Sequence, residues 1–159
     1  MTPVPNVRLV LAASLLGAWV GAALLAAASV APAAFRVLPT RALAGALVGQ
    51  VLPAVFVSGA VVGIAAALLS WDGAPFARAR TGLPLAAAVA CLVAQLVITP
   101  RIERVRATIG ADIEALAKSD PRRVEFGRLH GISVAWMGGG MLAAGAALVL
   151  SVLAARQRV

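Results

Sequence analysis

Four long apolar runs make up most of this chain and decide the solvent in which it folds. They are residues 7–34, 42–71, 83–99 and 131–155, and they cover about 100 of the 159 residues. Apart from Arg8, none of them contains a Lys, Arg, Asp or Glu. A helix of about 20 apolar residues crosses a hydrocarbon core of about 30 Å, and about 17 residues is the lower limit for a crossing. The third run is at that lower limit. The runs therefore predict a membrane protein with almost nothing left for a soluble domain.

We predict an all-α fold, an integral membrane four-helix bundle that forms a single transmembrane domain over residues 1–159. A polar helical segment, 101–130, is expected between the third and fourth spans. Its apolar residues recur at helical spacing, at Ile102, Val105, Ile109, Ile113 and Leu116. This pattern predicts an amphipathic helix over 101–118. Such a helix suits either an extension of the third helix lying on the membrane surface or a docking helix for a partner protein.

Local signals predict where several helices begin, bend or end. The second helix is expected to begin at Thr40 or Pro39, and Asp120 is a good N-cap for a fourth helix whose first residue is Pro121. The second run, about 45 Å long as a straight helix, exceeds one perpendicular crossing, so we expect a kink near Pro53. Pro100 is expected to end or bend the third helix.

The positive charge of the chain points to lipid headgroups rather than nucleic acid. The formal net charge is +8, but the basic residues flank apolar spans, where they meet headgroups. There is no Tyr and no nucleic-acid motif, so nucleic acid is excluded as a partner. The preference for Arg over Lys, with much Ala, Gly and Val, is typical of GC-rich bacterial genomes. We therefore predict a multi-pass protein of the bacterial cytoplasmic (inner) membrane.

The distribution of Lys and Arg also gives an expected orientation. The side of the membrane that holds segment 101–128 carries nine of these cations, and the side that holds both termini carries five. The positive-inside rule then places 101–128 in the cytoplasm. The first run has a second interpretation as a signal peptide, with Ser29-Val30-Ala31 as the cleavage site. Its length exceeds that of an ordinary signal segment, which favours a retained helix.

Small residues recur at intervals of four along several runs, which lets helix backbones approach closely in lipid. The residues predicted to form helix–helix contacts are Gly17, Gly21, Gly45, Gly49, Gly59, Gly63 and Gly139. Their number favours a tight bundle over four loosely associated helices. The same motifs also suit a homodimer, and both arrangements stay open at this stage.

The polar residues do not form a recognisable catalytic constellation. All six acids lie outside the apolar runs, and there is no P-loop, no paired catalytic carboxylates and no metal-spaced Cys/His cluster. A Ser nucleophile needs a nearby base. Because the chain has one His, the pair Ser133 and His130 is the enzyme-like candidate. We predict that the protein is not an enzyme and has no resident cofactor.

One set of side chains has the chemistry of a soft-metal site. His130, Met137 and Met141 share a helical stripe at the entry to the fourth run. Imidazole and thioether groups ligate metals such as Cu(I), and Cys91 in the third run would add a thiolate. The competing interpretation is an interfacial His hydrogen-bonded to the bundle, with the Met side chains filling gaps in the core.

Two groups of motifs occur in a fixed order along the chain. The first is Ala31-Pro32-Ala33-Ala34-Phe35-Arg36-Val37-Leu38-Pro39 followed by Gly45, Gly49 and Leu52-Pro53, and the second is Phe126-Gly127-Arg128-Leu129-His130-Gly131-Ile132-Ser133. In this order they resemble the transmembrane protein 205-like family of unknown function. The resemblance implies a small four-span membrane protein with an extended segment between helices 3 and 4, and no established enzyme activity.

The resemblance also singles out particular positions. They are Phe35, Pro39, Gly45, Pro53, His130 and Ser133. This chain departs from the family pattern after the second motif, where Trp136 and then 138–140 replace a polar residue and bulkier apolar ones.

The sequence as a whole predicts a non-enzymatic integral membrane protein that acts by packing. It would be a structural or accessory subunit within a membrane complex, or a homo-oligomer, with the lipid bilayer and other membrane subunits or itself as partners. The alternative is a small-molecule or soft-metal handling membrane protein that uses His130, Met137 and Met141.

Overall fold

A computed structural model describes residues 6–71, 77–110 and 113–157, and this part of the chain is built from helices without a strand. The four long helices are α1 (Val7–Val37), α2 (Arg41–Leu69), α3 (Ala77–Ile109) and α4 (Pro121–Gln157). Each is long and apolar enough to cross a membrane. The prediction of an all-α, multi-pass four-helix protein is confirmed.

The helices form a closed ring in which each packs against two neighbours. α1 contacts α2 and α4, and α3 contacts the same two helices from the other side. The order is antiparallel: Arg8, at the start of α1, donates a 2.9 Å hydrogen bond to the carbonyl of Leu68, at the end of α2. The core between the helices contains small residues and a few large ones, among them Leu16, Trp19 and Phe56.

Two of the predicted helix starts are confirmed by their caps. The Thr40 hydroxyl accepts a hydrogen bond from the Leu43 amide at 3.2 Å, as an N-cap does for the orphan amides of a first turn. At α4 the Asp120 carboxylate accepts from the Arg122 amide at 2.9 Å, and Pro121 is the first helical residue.

In two helices a π-helical turn precedes a proline, and neither proline ends its helix. Single π-helical turns occur at Ala26–Val30 in α1 and Ala94–Ile98 in α3, and Pro32 and Pro100 follow two residues later. Proline has no amide to donate, so the helix must rearrange its bonds just before it. In α3 the Thr99 hydroxyl donates to the carbonyl of Ala94 at 2.9 Å. The expectation that α3 could end at Pro100 is therefore wrong, whereas Pro53 lies inside the uninterrupted α2.

The predicted amphipathic helix over 101–118 is too long. α3 runs on to Ile109 and stops at Gly110, which has a φ of 82°. L-residues with side chains disfavour this backbone conformation, so glycine ends the helix. Ile113 and Leu116, expected on the same helical stripe, lie in turns beyond it. The extension between spans 3 and 4 is thus a helical end of α3, a turn segment and the polar beginning of α4.

Candidate functional site

The side chains of Arg106, Phe126 and His130 stack at the end of the bundle that holds the 38–40 and 110–120 connections. The Arg106 guanidinium carbon lies 5.8 Å from the centre of the Phe126 ring. The Phe126 and His130 rings are parallel within 2°, with centres 6.2 Å apart. Phe126 and His130 are four residues apart on α4, so they share one face of the helix. Attraction between the cation and the ring face favours this arrangement.

The Arg106 guanidinium lies against two glycines on α2. A Cβ built on Gly45 would lie 3.4 Å from Arg106 Nη2, and one built on Gly49 would lie 3.4 Å from Nη1. The two glycines were predicted to bring helix backbones together. They instead make a shallow notch that seats an arginine side chain from α3. We call Gly45, Gly49, Arg106, Phe126 and His130 the Arg106 cluster.

Two acids at this end of the bundle, Glu114 and Asp120, are paired with other cations. Glu114 lies 3.2 Å from Arg41 Nε, and Asp120 lies 2.9 Å from Arg122. Hydrogen bonds from Arg122 lower the pKa of Asp120 from 3.8 to about 2. Within residues 6–71, 77–110 and 113–157, no hydrogen bond or ion pair reaches Arg106. Its half-buried positive charge therefore has no counter-ion from this part of the chain.

The predicted soft-metal residues lie in different surroundings. His130 is exposed and stacks on Phe126, whereas Met137 and Met141 pack against the buried core. His130 and Met137 are separated by about 10 Å along the helix axis. Cys91 is 2% exposed, and burial suits its role as a small apolar residue. In the described residues no three His, Cys, Asp or Glu side chains are grouped for a metal, and metal handling stays a prediction.

The glycines that do bring helices together lie in the middle of α2. A Cβ on Gly59 would lie 2.6 Å from both Cys91 Sγ and ring atoms of Trp19. One on Gly63 would lie 2.5 Å from the carbonyl oxygen of Pro84. Neither glycine can be enlarged without moving α1 or α3. The predicted packing role is thus supported at these two positions.

The other predicted packing glycines have more space around them in this bundle. A Cβ built on Gly17 would make ordinary contact with Leu148 at 3.8 Å, and nothing lies within 4 Å of a Cβ built on Gly21 or Gly139. On α4 it is Gly140 that faces α3, because a Cβ built on it would lie 3.3 Å from the Ala90 Cβ. Gly21 and Gly139 therefore have open space beside them in this bundle, and their role in helix packing stays a prediction.

The positions singled out by the family resemblance do not form one site. Phe35 is 48% exposed at the end of α1, Pro39 lies in the 38–40 connection and Pro53 is inside α2. Ser133 is buried while His130 is exposed. Among the described residues no hydrogen bond joins these two, so the enzyme-like pair is not assembled.

Arg80 is a buried charged residue that the sequence reasoning missed. It precedes the third apolar run, 83–99, but it belongs to α3 and is 1% exposed. The structure gives it an interaction with other groups of the protein. The signal was present in the spacing: Arg80, Pro84, Ala87 and Cys91 follow one helical stripe, all of them buried.

Comparison with known proteins identifies a family but no function. A family model described as a domain of unknown function (DUF4149) matches residues 14–110. No curated protein and no solved structure matches the chain. The matched range includes Gly45, Gly49 and Arg106 and ends before Phe126 and His130. The expectation of a family of unknown function is confirmed, and the resemblance to the transmembrane protein 205-like family stays a prediction.

Proposed function

The chain belongs to the DUF4149 family of unknown function, and from its structure we propose that it is a non-enzymatic membrane subunit that packs against another membrane-spanning chain. The other chain is a second copy or a different subunit of a membrane complex in the bacterial cytoplasmic membrane. The observation that carries the proposal is the outward face of α4.

Of the four helices, α4 has the smallest share of its residues buried by the rest of the protein. Within its apolar segment 22% of the residues are buried, compared with 33% to 39% in the other three helices. Its inner face is used by Gly140, Ala144 and Ala147 in the bundle core. The remaining faces of the helix are left to lipid or to another protein.

The outward face of α4 has the composition of a helix-packing surface. Gly131, Ala135 and Gly139 follow one another at intervals of four, and all three are exposed. Nothing lies within 4 Å of a Cβ built on Gly131 or Gly139. Small residues in this spacing let a second helix approach closely, which is the main source of attraction between helices in lipid. Leu142, on the same face, is 78% exposed and would pack against such a helix.

The test compares two glycine-to-leucine variants of the full chain. Each protein is purified from native membranes in mild detergent and its mass is measured by native mass spectrometry. Gly139→Leu enlarges the proposed contact, and Gly82→Leu is the matched control, because Gly82 is also exposed with nothing near its Cβ position.

We expect wild-type protein and Gly82→Leu to carry a stoichiometric protein partner, identified by its mass as a second copy or another subunit. Gly139→Leu should run as a solitary chain. A solitary wild-type monomer, or an unchanged assembly in Gly139→Leu, would contradict the proposal.

A further inference from the structure

We propose that the Arg106 cluster binds the phosphate group of an anionic phospholipid. This ligand site is distinct from the α4 packing face and goes beyond the proposed function. It rests on three features of the Arg106 side chain: its position between α2 and Phe126, a charge with which no acid of the described residues forms an ion pair, and its depth along the bundle.

The guanidinium is held in place before any ligand arrives. A Cβ built on Gly45 or Gly49 would lie 3.4 Å from one of its terminal nitrogens, and its carbon lies over the Phe126 ring at 5.8 Å from the ring centre. The planar group of this α3 residue therefore lies between the glycine face of α2 and an aromatic ring of α4. A planar guanidinium offers paired N–H donors that match the oxygens of a phosphate. Because the contacts orient it in advance, less conformational entropy is lost on binding.

The charge of Arg106 has no anion from the described chain. The neighbouring acids Glu114 and Asp120 are engaged with Arg41 and Arg122 at 3.2 and 2.9 Å. Glu125 is 2.8 Å from Arg128. Partial burial of a cation is costly unless an anion compensates it. An external anion therefore gains more at Arg106 than at the exposed arginines nearby.

The depth of the cluster selects a lipid as the source of that anion. α2 has 29 residues, so it is about 44 Å long, close to the 40–45 Å of a bilayer with its headgroup regions. Gly45 and Gly49 lie about 6 and 12 Å from the start of α2 at Arg41. With about 30 Å of hydrocarbon centred on the helix, about 7 Å at each end lies in the headgroup region. Gly45 then lies in the headgroup region, where lipid phosphates are found, and Gly49 lies just inside the hydrocarbon. A soluble phosphate ion would have to leave water to reach the same position.

The experiment measures lipid binding to the full-length protein in detergent. Phosphatidylglycerol, phosphatidylcholine or inorganic phosphate is added at equal concentration, and thermal unfolding and native mass spectrometry report binding. Arg106→Gln removes the guanidinium, and Gly49→Leu fills the notch beneath it. Arg104→Gln is the control, because it makes the same charge change at an exposed position of the same helix.

We expect phosphatidylglycerol to stabilise the wild type and Arg104→Gln, with about tenfold weaker binding in Arg106→Gln and in Gly49→Leu, since a charge-assisted hydrogen bond is lost. Equal weakening in Arg104→Gln would overturn the proposal in favour of diffuse attraction between charges. Equal stabilisation by inorganic phosphate would overturn the assignment to a lipid. If the variants do not fold, the comparison of lipids on the wild-type protein still tests the proposal. Equal retention of phosphatidylcholine and phosphatidylglycerol by the wild type would contradict an anion site.

Discussion

The indole Nε1 of Trp19 donates a 2.9 Å hydrogen bond to the main-chain carbonyl of Val55. Trp19 is 4% exposed, and this bond joins the middle of α1 to the middle of α2. The same indole ring lies on Gly59, one turn further along α2. The Trp19 indole thus contacts two adjacent turns of α2, one through its N–H group and the other through its ring.

Replacing Trp19 with Phe should destabilise the bundle. The variant loses the bond to Val55 and part of the buried ring, so we expect the free energy of unfolding to fall by about 1–2 kcal/mol. Titration of detergent-solubilised protein with sodium dodecyl sulfate, followed by circular dichroism, measures this change. Trp136→Phe is the control, because Trp136 is 39% exposed. Equal losses in the two variants would argue against the hydrogen bond.

Adding one methyl group at Gly59 should be costly. The new Cβ would meet Trp19 and Cys91 atoms at 2.6 Å, and overpacking of this kind costs about 1–3 kcal/mol. Gly21→Ala has free space around it and should be neutral or gain up to about 1 kcal/mol from better helix propensity. The same unfolding titration compares the two variants. A neutral Gly59→Ala would show that α1 and α3 shift more easily than the close contacts imply.

The turn after α3 should depend on the backbone of Gly110. Its φ of 82° and ψ of −153° form a conformation that is essentially restricted to glycine. Gly110→Ala should therefore cost about 1–3 kcal/mol, although nothing lies within 4 Å of the added Cβ. Gly127→Ala, which lies in α4 with equally open space, should not be destabilised. Similar losses at both sites would exclude backbone strain as the cause.

Arg80 should be far less tolerant of substitution than Arg78. Arg80 is 1% exposed, whereas Arg78 is exposed in the turn before it. Arg80 also interacts with other groups of the protein, and losing the interactions of a buried polar side chain costs about 1–3 kcal/mol, so Arg80→Leu should lower the yield and stability of folded protein. Arg78→Leu should change stability by less than about 0.5 kcal/mol. Size-exclusion profiles and unfolding titrations of both variants check this, and equal behaviour would contradict it.

The stability of the α4 start should depend on acid pH through Asp120. Hydrogen bonds from Arg122 lower the pKa of its carboxyl from 3.8 to about 2. A carboxyl whose folded-state pKa is depressed stabilises the fold above its unfolded pKa, and this contribution is lost as pH falls. Asp120→Asn keeps a capping side chain without the charge. Its stability deficit should be constant from neutral pH to about pH 4 and shrink towards pH 2, and a deficit independent of pH would contradict this.

Some features of the structure were predictable because they follow from short stretches of chain. Thr40 and Asp120 cap the helices that follow them, and a capping hydrogen bond reaches only two or three residues ahead. The helical stripe over 101–118 was misleading for the same local reason. Its spacing continues through Gly110, but the backbone of that residue turns out of the helix.

The candidate site could not be predicted from those local patterns. Gly45 and Gly49 have the same spacing as Gly59 and Gly63, yet the first pair seats Arg106 and the second pair meets α1 and α3. His130 was grouped with Met137 on one stripe, but it stacks on Phe126 at the end of the bundle. The contacts that distinguish the two glycine pairs come from residues about 20 to 60 positions away along the chain, whereas Phe126 is one helical turn from His130.

The sequence by itself determined that this is a four-helix membrane protein, because the length and polarity of each run decide whether a helix can cross a bilayer. It also determined two helix starts through their caps. Only the tertiary structure decided that Arg80 is buried and that Trp19 packs against Gly59. It also decided that Arg106 lies against Gly45 and Gly49. The physical reason is that these spans are apolar on nearly every side. The rotation of each helix about its axis is then set by its neighbours rather than by its own pattern.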